Sequence, residues 1–120
     1  MTKLPVALQV YSVRDDAAAD LENTLRKIRE MGYDGVEFAG LYGYEPDTVK
    51  DLCREVGLVP ISAHVPFVDL MADTDGLMEA YSRIGCRYIA IPYLTEEYRP
   101  GTPRFSEVIE GAKKIGACAK

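Results

Sequence analysis

Glu37 and His64 are the two side chains of this 120-residue chain that are best placed to do acid–base chemistry together. Each lies near the end of a short apolar segment that is typical of a β-strand, at residues 35–39 for the glutamate and 59–64 for the histidine. A partly buried carboxylate can act as a general base or a metal ligand, and histidine titrates near neutrality. Both are therefore candidate catalytic residues. The alternative is a hydrogen-bonded pair that only holds the protein interior together.

Other side chains near the ends of predicted strands could contact a substrate. Gln9 and Tyr11 end the first strand, where the glutamine could orient a substrate hydroxyl or could equally be satisfied within the protein. Arg14 begins the next loop and could meet a carboxylate or a phosphate, with a solvated arginine as the alternative. Phe38 and Tyr93 could wall an apolar pocket, although ordinary packing would also explain them. These five are the candidate substrate-binding residues.

The sequence contains no self-contained metal site. It has one histidine and scattered carboxylates, which provide at most two ligands on one face of the sheet. A catalytic divalent site usually has three or more protein ligands, so no metal ligand is assigned. There is also no phosphate-cradling glycine-rich loop, no Gly-x-Ser-x-Gly elbow and no dinucleotide fingerprint.

The elements that must position these residues repeat four times along the chain. Strands are predicted at residues 5–13, 35–39, 59–64 and 88–94, and an amphipathic helical pattern follows each of them. Gly32, Gly57 and Gly85 end three of the helical patterns just before the next strand. Alternating strands and helices indicate a parallel sheet with helices outside it. We predict βα units at about 5–32, 33–57, 58–85 and 86–120, within a single domain over 1–120.

Side chains alternate between the two faces of each predicted strand, and the two sets differ in character. The apolar set is Val6, Leu8, Val10, Val36, Phe38, Val59, Ile61, Ala63, Ile89 and Ile91. The small or polar set is Ala7, Gln9, Tyr11, Gly35, Glu37, Ala39, Pro60, Ser62, His64, Tyr88, Ala90 and Pro92. A doubly wound, flavodoxin-like sheet needs two apolar faces, whereas a barrel turns one face inward. The pattern favours an α/β fold with a (βα)4 half of a TIM (β/α)8 barrel, which typically needs about 250 residues.

Composition excludes several classes of function. The net charge of −5 argues against a non-specific nucleic-acid binder, which needs a basic surface. No apolar run approaches the length of a transmembrane helix, and the N-terminus lacks the layout of a secretory signal. Three cysteines without Cys-x-x-Cys spacing, Cys53, Cys86 and Cys118, indicate buried or incidental thiols in a reducing compartment. We therefore expect a cytoplasmic protein that binds neither nucleic acid nor membranes.

Three segments carry a resemblance to a known family: LQVYSVRD at residues 8–15, GYDGVEF at 32–38 and ISAH at 61–64. They resemble the xylose isomerase-like TIM-barrel superfamily, and within it the sugar phosphate isomerase/epimerase branch, near inosose dehydratase and hydroxypyruvate isomerase. The resemblance implies an enzyme that shifts a proton or hydride between neighbouring carbons of a sugar, sugar phosphate or polyol-like ketone. It also implies a divalent metal (Mn, Mg, Co or Zn) that polarises substrate oxygens. Glu37 matches the second-strand glutamate of the family and His64 its third-strand histidine, and both usually line the substrate pocket.

The same resemblance implies that the chain corresponds to the N-terminal half of such an enzyme. The main metal ligands of this branch come from strands five to eight, so we expect no metal in these 120 residues alone, and little activity. The apurinic endonuclease branch adds a histidine on the fourth strand, where this chain has IAIPY at residues 89–93. That departure and the acidic charge make a role in DNA repair a poor fit.

Two other hypotheses remain open at this point. The chain could be a non-catalytic half-barrel module that self-associates, since a four-stranded half barrel has two open edges that invite pairing into a homodimer. It could also be a self-sufficient enzyme that uses Glu37 and His64 without a metal, within a homodimer.

Overall fold

A computed structural model describes residues 2–120 of the chain. The described residues form four strands: β1 (Ala7–Gln9), β2 (Gly35–Phe38), β3 (Val59–His64) and β4 (Tyr88–Ala90). They also form six α-helices: α1 (Arg14–Ala19), α2 (Leu21–Glu30), α3 (Pro46–Val56), α4 (Phe67–Ala72), α5 (Thr74–Ile84) and α6 (Phe105–Cys118). Short 3-10 helices follow β1 at Val10–Val13 and precede α6 at Glu96–Tyr98. None of the helices in this part of the chain combines the length and apolar character needed to cross a bilayer.

The order of the strands distinguishes between the two sheet architectures that the sequence left open. The sheet runs β1-β2-β3-β4, and every neighbouring pair is parallel. A doubly wound sheet reverses its strand order at a switch point, which this sheet does not do. The helices also contact one another in chain order, α2 with α3, α3 with α5 and α5 with α6. The predicted fold, parallel strands with outer helices in half of a TIM barrel, is confirmed.

Three of the four strands are shorter in the structure than in the prediction: β2 by one residue, and β1 and β4 by more. β1 ends at Gln9 because the chain turns into a 3-10 helix at Val10, and β4 ends at Ala90, two residues before Pro92. Proline has no amide donor for a strand ladder. The sequence analysis also missed the six-residue helices α1 and α4, which occupy the loops after β1 and β3. As a result, the carboxyl ends of these two strands carry helices where loops were expected.

The hydrophobic core lies between the sheet and the helices. Its fully buried members from the strands are Val36, Phe38 and Ala63. Those from the 3-10 helix after β1 and from the α-helices are Val10, Leu21, Leu25, Ile28 and Val49. The prediction for this face was wrong at Val6 and Val59, which are 51% and 60% exposed. Val6 precedes β1 and Val59 is the first residue of β3, so the core begins further along each strand.

Helix α6 packs less completely than its sequence predicts. Of its apolar stripe only Ile115 is buried, while Ile109 is 47% exposed. The helix lies close to α4 at Gly111, where an added Cβ would come within 2.7 Å of the Phe67 ring. The helix therefore packs against α4 as well as against α5 and the 3-10 helix Glu96–Tyr98.

A β-bulge between β2 and β3 aligns polar residues across the sheet. Val36 is opposite Pro60, but Glu37 is opposite Ser62, so Ile61 is an extra residue on β3. The strands come close together here, because a Cβ on Gly35 would lie 2.7 Å from the Val59 carbonyl oxygen. Bulges often re-aim side chains beside functional sites. This one brings the Ser62 hydroxyl to the carboxylate of Glu37.

Candidate functional site

Three polar side chains form a row across the inner face of the sheet. Gln9 on β1 is opposite Glu37 on β2, and Glu37 is opposite Ser62 on β3. His64 lies two residues beyond Ser62 on the same strand and therefore on the same face. We call these four residues the polar cluster. Each of them is at or near the carboxyl end of its strand, where the functional groups of βα barrels gather.

The carboxylate of Glu37 is the centre of the polar cluster. Gln9 Nε2 donates a hydrogen bond to Glu37 Oε1 at 2.8 Å, and Ser62 Oγ donates one to Oε2 at 2.5 Å. His64 Nε2 lies 3.0 Å from Glu37 Oε1, and Gln9 Nε2 is also 3.2 Å from His64 Nδ1. Both carboxylate oxygens thus have partners on neighbouring strands. About a quarter of each side chain, 26% for Glu37 and 28% for His64, is still exposed on the open face.

The surroundings of Glu37 favour its ionised form. Burial raises the pKa of this carboxyl, but the hydrogen bonds from Ser62 and Gln9 and the charge of His64 outweigh burial, so the pKa is lowered from the ordinary value of 4.5. A general base works best with a pKa near the operating pH. Glu37 is therefore better suited to accept a hydrogen bond from a substrate hydroxyl than to remove a proton from carbon.

A groove of about 640 Å³ lies beside the polar cluster on the open face of the sheet. Gln9, His64 and Asp69 contribute polar groups to its lining. Tyr11 and Tyr93 form part of its walls and are more than half exposed. The structure thus brings four predicted residues together in one groove, with Glu37 directly behind Gln9 and His64. The volume lies within the range of small-molecule sites.

Arg14 is near the groove but does not line it. Its guanidinium stacks over the Tyr11 ring, with Cζ 4.3 Å from the ring centroid, and Nη1 donates a hydrogen bond to the Tyr11 carbonyl oxygen at 2.9 Å. Both contacts hold the Arg14 guanidinium against Tyr11. Its predicted role in binding a carboxylate or phosphate stays a prediction.

Phe38 does not belong to the site. Its side chain is fully buried in the core between the sheet and the helices. Successive residues of a strand point to opposite faces, so Glu37 on the inner face places its neighbour Phe38 on the helix side. A substrate in the groove has no access to this ring, and the assignment of Phe38 to the pocket was wrong.

Two residues of the site were not selected from the sequence. Ser62 lies two residues before His64 on β3. This spacing places both side chains on the small or polar face, and it is the sequence feature that could have identified Ser62. Asp69 lines the groove from α4. No sequence pattern indicates it, because the six residues of α4 are too few to show a helical period.

The two cysteines nearest the core behave as packing residues. Burial raises the pKa of the Cys53 thiol to about 12 and that of Cys86 to about 11. A thiol with so high a pKa is a poor nucleophile and a poor metal ligand at neutral pH. Neither group offers an alternative reactive centre.

Comparisons with known proteins rest on structure alone. No protein-family model matches the chain, and no curated protein matches it. The structure is similar to a sugar phosphate isomerase/epimerase from Parabacteroides distasonis, with a TM-score of 0.74 and 19% identity over 98% of this chain and 50% of the other. A second sugar phosphate isomerase/epimerase from the same organism gives a TM-score of 0.59 and 17% identity over 99% of this chain and 47% of the other.

The chain has the fold of half of such a barrel. It spans about half the length of each of these solved structures. At this level of identity the likeness concerns the fold, and any function has to be argued from the polar cluster and the groove.

Proposed function

We propose that this chain is one half of an isomerase- or epimerase-type barrel and that its inner face binds a sugar, a sugar phosphate or a polyol-like ketone. The observation that carries the proposal is the polar cluster, which faces a groove of about 640 Å³ at the carboxyl ends of the strands. Sugars have hydroxyl and carbonyl oxygens on neighbouring carbons. These oxygens can form hydrogen bonds with an amide, a carboxylate and an imidazole that lie side by side. The exposed rings of Tyr11 and Tyr93 suit the apolar C–H faces of a sugar.

Each polar residue has a distinct part in this proposal. Glu37, held ionised by Ser62 and Gln9, accepts a hydrogen bond from a substrate hydroxyl. His64 takes the proton from the substrate hydroxyl and returns it to the neighbouring carbonyl oxygen while a hydride moves between the two carbons, since an imidazole can donate at one nitrogen and accept at the other. Gln9 contacts both residues and fixes their relative position.

The residues present do not by themselves make the divalent metal site that the family resemblance implies. Among residues 2–120, no three His, Cys, Asp or Glu side chains converge on one point. Glu37 and His64 are adjacent, but two ligands fall short of the three that catalytic sites usually have. Any metal would need ligands from outside the described chain, so no step of the proposal passes through it.

Thermal unfolding with candidate ligands tests the proposal. A ligand that binds only the folded state raises its stability, so a panel of aldoses, ketoses and their phosphates should contain members that raise the Tm of the wild-type protein. Glu37→Gln and His64→Gln should abolish this rise, whereas Ser82→Ala, a change at an exposed helical serine, should leave it intact. The sugars that bind are then incubated with the protein and analysed by 13C NMR for a new isomer or epimer. A panel in which no sugar raises the Tm would contradict the proposal.

A further inference from the structure

The surface of this chain is larger than a compact protein of its size should have. The accessible area is 7583 Å², whereas a folded monomer of 13.3 kDa is expected to expose about 6,450 Å². The radius of gyration is 15.6 Å, against about 13.6 Å for a compact domain of this length. The excess of about 1,100 Å² is comparable with the area that each partner buries in a homodimer interface.

The excess is associated with an open sheet. The strand order β1-β2-β3-β4 leaves one edge of β1 and one edge of β4 without a neighbouring strand. Tyr88, opposite Ser62 at the β4 end of the inner face, is 63% exposed. At the β1 end, Val6 and Tyr11 are 51% and 53% exposed. Parallel edges with exposed apolar side chains favour the addition of further strands.

A groove of about 670 Å³ lies along β4 between α5 and α6 and is lined in part by Ile89, Ile91 and Ile115. The side of β1 that faces the helices carries the apolar residue Leu8, which is partly exposed in the single chain. An apolar strand that extends the sheet past β4 would place its side chains against this groove.

We propose that a second copy of this chain closes the barrel. β4 of each copy pairs in parallel with β1 of the other, which gives eight strands and a closed two-fold arrangement that leaves no free edge. A TIM barrel has eight strands. Because this chain matches half of a similar solved structure, two copies would supply the full number. The inference depends on the open sheet and its surface, and not on the reaction proposed above.

Closure would complete the functional site. The two-fold axis would coincide with the barrel axis, so both polar clusters would lie at the same mouth of the barrel. Inward side chains of a barrel meet in layers around its axis. The groove beside Gln9 and His64 of one copy would therefore be walled by the inner face of the partner copy, which excludes water from an otherwise open surface.

The molar mass in solution tests the inference without any ligand. Light scattering during size-exclusion chromatography should give about 27 kDa for the wild type, twice the 13.3 kDa of the chain. Tyr88→Glu places a charge in the closed interior and should reduce the mass to that of one chain. Val6→Lys should do the same at the other edge. The matched control is Met31→Glu, because Met31 is also 63% exposed but lies at the end of α2, so this variant should remain dimeric.

Circular dichroism of each variant shows whether the monomer has kept its helices, and Val6→Lys provides a second test if Tyr88→Glu unfolds. A wild type of 13.3 kDa at all concentrations would overturn the inference and would leave the other half of the barrel to a different chain segment. A dimer that survives both edge substitutions would also overturn it, since the interface would then lie elsewhere. Neither result bears on sugar binding, which the thermal panel measures separately.

Discussion

At the scale of single residues, Glu37 shows how neighbouring strands adjust one carboxylate. Its charge is held by the Ser62 hydroxyl, the Gln9 amide and the His64 ring, each from a different position on the inner face. The sequence predicted Glu37, His64 and Gln9 because strand periodicity places them on one face. It could not predict the distances between them, because these depend on register, and register depends on a bulge that has no sequence signature.

The hydrogen bond from Ser62 should contribute measurably to stability. Ser62→Ala leaves one oxygen of a partly buried carboxylate without its donor, and a hydrogen bond to a charged group contributes about 1.5–3 kcal/mol. We expect a loss of about 2 kcal/mol in the free energy of unfolding by urea. Ser82→Ala, at an exposed position on α5, is the matched control and should change it by less than about 0.5 kcal/mol. Equal effects of the two substitutions would mean that the Ser62 contact does not stabilise the fold.

The lowered pKa of Glu37 predicts a particular dependence of stability on pH. Since the folded-state pKa lies below the unfolded value, ionised Glu37 stabilises the protein above the ordinary value of 4.5, and this stabilisation is lost as the pH falls through the folded-state pKa. Glu37→Gln removes that titration. The difference in unfolding free energy between wild type and Glu37→Gln should therefore become smaller between about pH 6 and about pH 3. A difference that stays constant over this range would show that the Glu37 pKa is the same in the folded and unfolded states.

At the scale of elements, the repeated strand–helix pattern predicted the sheet well and the connections poorly. Gly57 and Gly85 end their helices with φ of +88° and +107°, in the left-handed region that the sequence pattern predicted. The helices α1 and α4 were missed because six residues are too few to show a helical period. Phe38 was misassigned because proximity to Glu37 in the sequence was weighed above the alternation of strand faces.

The β-bulge should depend on glycine at position 35. An added methyl group would lie 2.7 Å from the Val59 carbonyl oxygen, a backbone atom that cannot rotate away. Gly35→Ala should therefore destabilise the protein by about 1–3 kcal/mol and weaken the alignment of Glu37 with Ser62. Gly116→Ala is the matched control, because its Cβ would meet nothing within 4 Å inside α6. That change should stabilise the protein by about 0.5–1 kcal/mol. Chemical denaturation of both variants measures the change in the free energy of unfolding. A Gly35→Ala variant that is more stable than the wild type would contradict this view of the bulge.

At the scale of the whole molecule, an open inner face is the main property of the chain. A (βα)4 unit buries the helix side of its sheet and leaves the other side, with the polar cluster, facing outward. The length and the strand pattern together predicted this half barrel from the sequence. What covers the inner face could not be predicted, because edge pairing depends on exposed surface and on shape, which a sequence pattern does not give. The proposed function and the proposed closure both concern this one face.

An NMR titration of the His64 imidazole with sugars tests most directly whether the polar cluster is a sugar-binding site. This is the one histidine in the sequence, so its ring signals need no assignment by mutagenesis. Sugars or sugar phosphates that raise the Tm should also shift these signals saturably, and Glu37→Gln should abolish the shift. Imidazole signals that stay unchanged while such a sugar binds would place the ligand elsewhere and contradict sugar binding at the polar cluster.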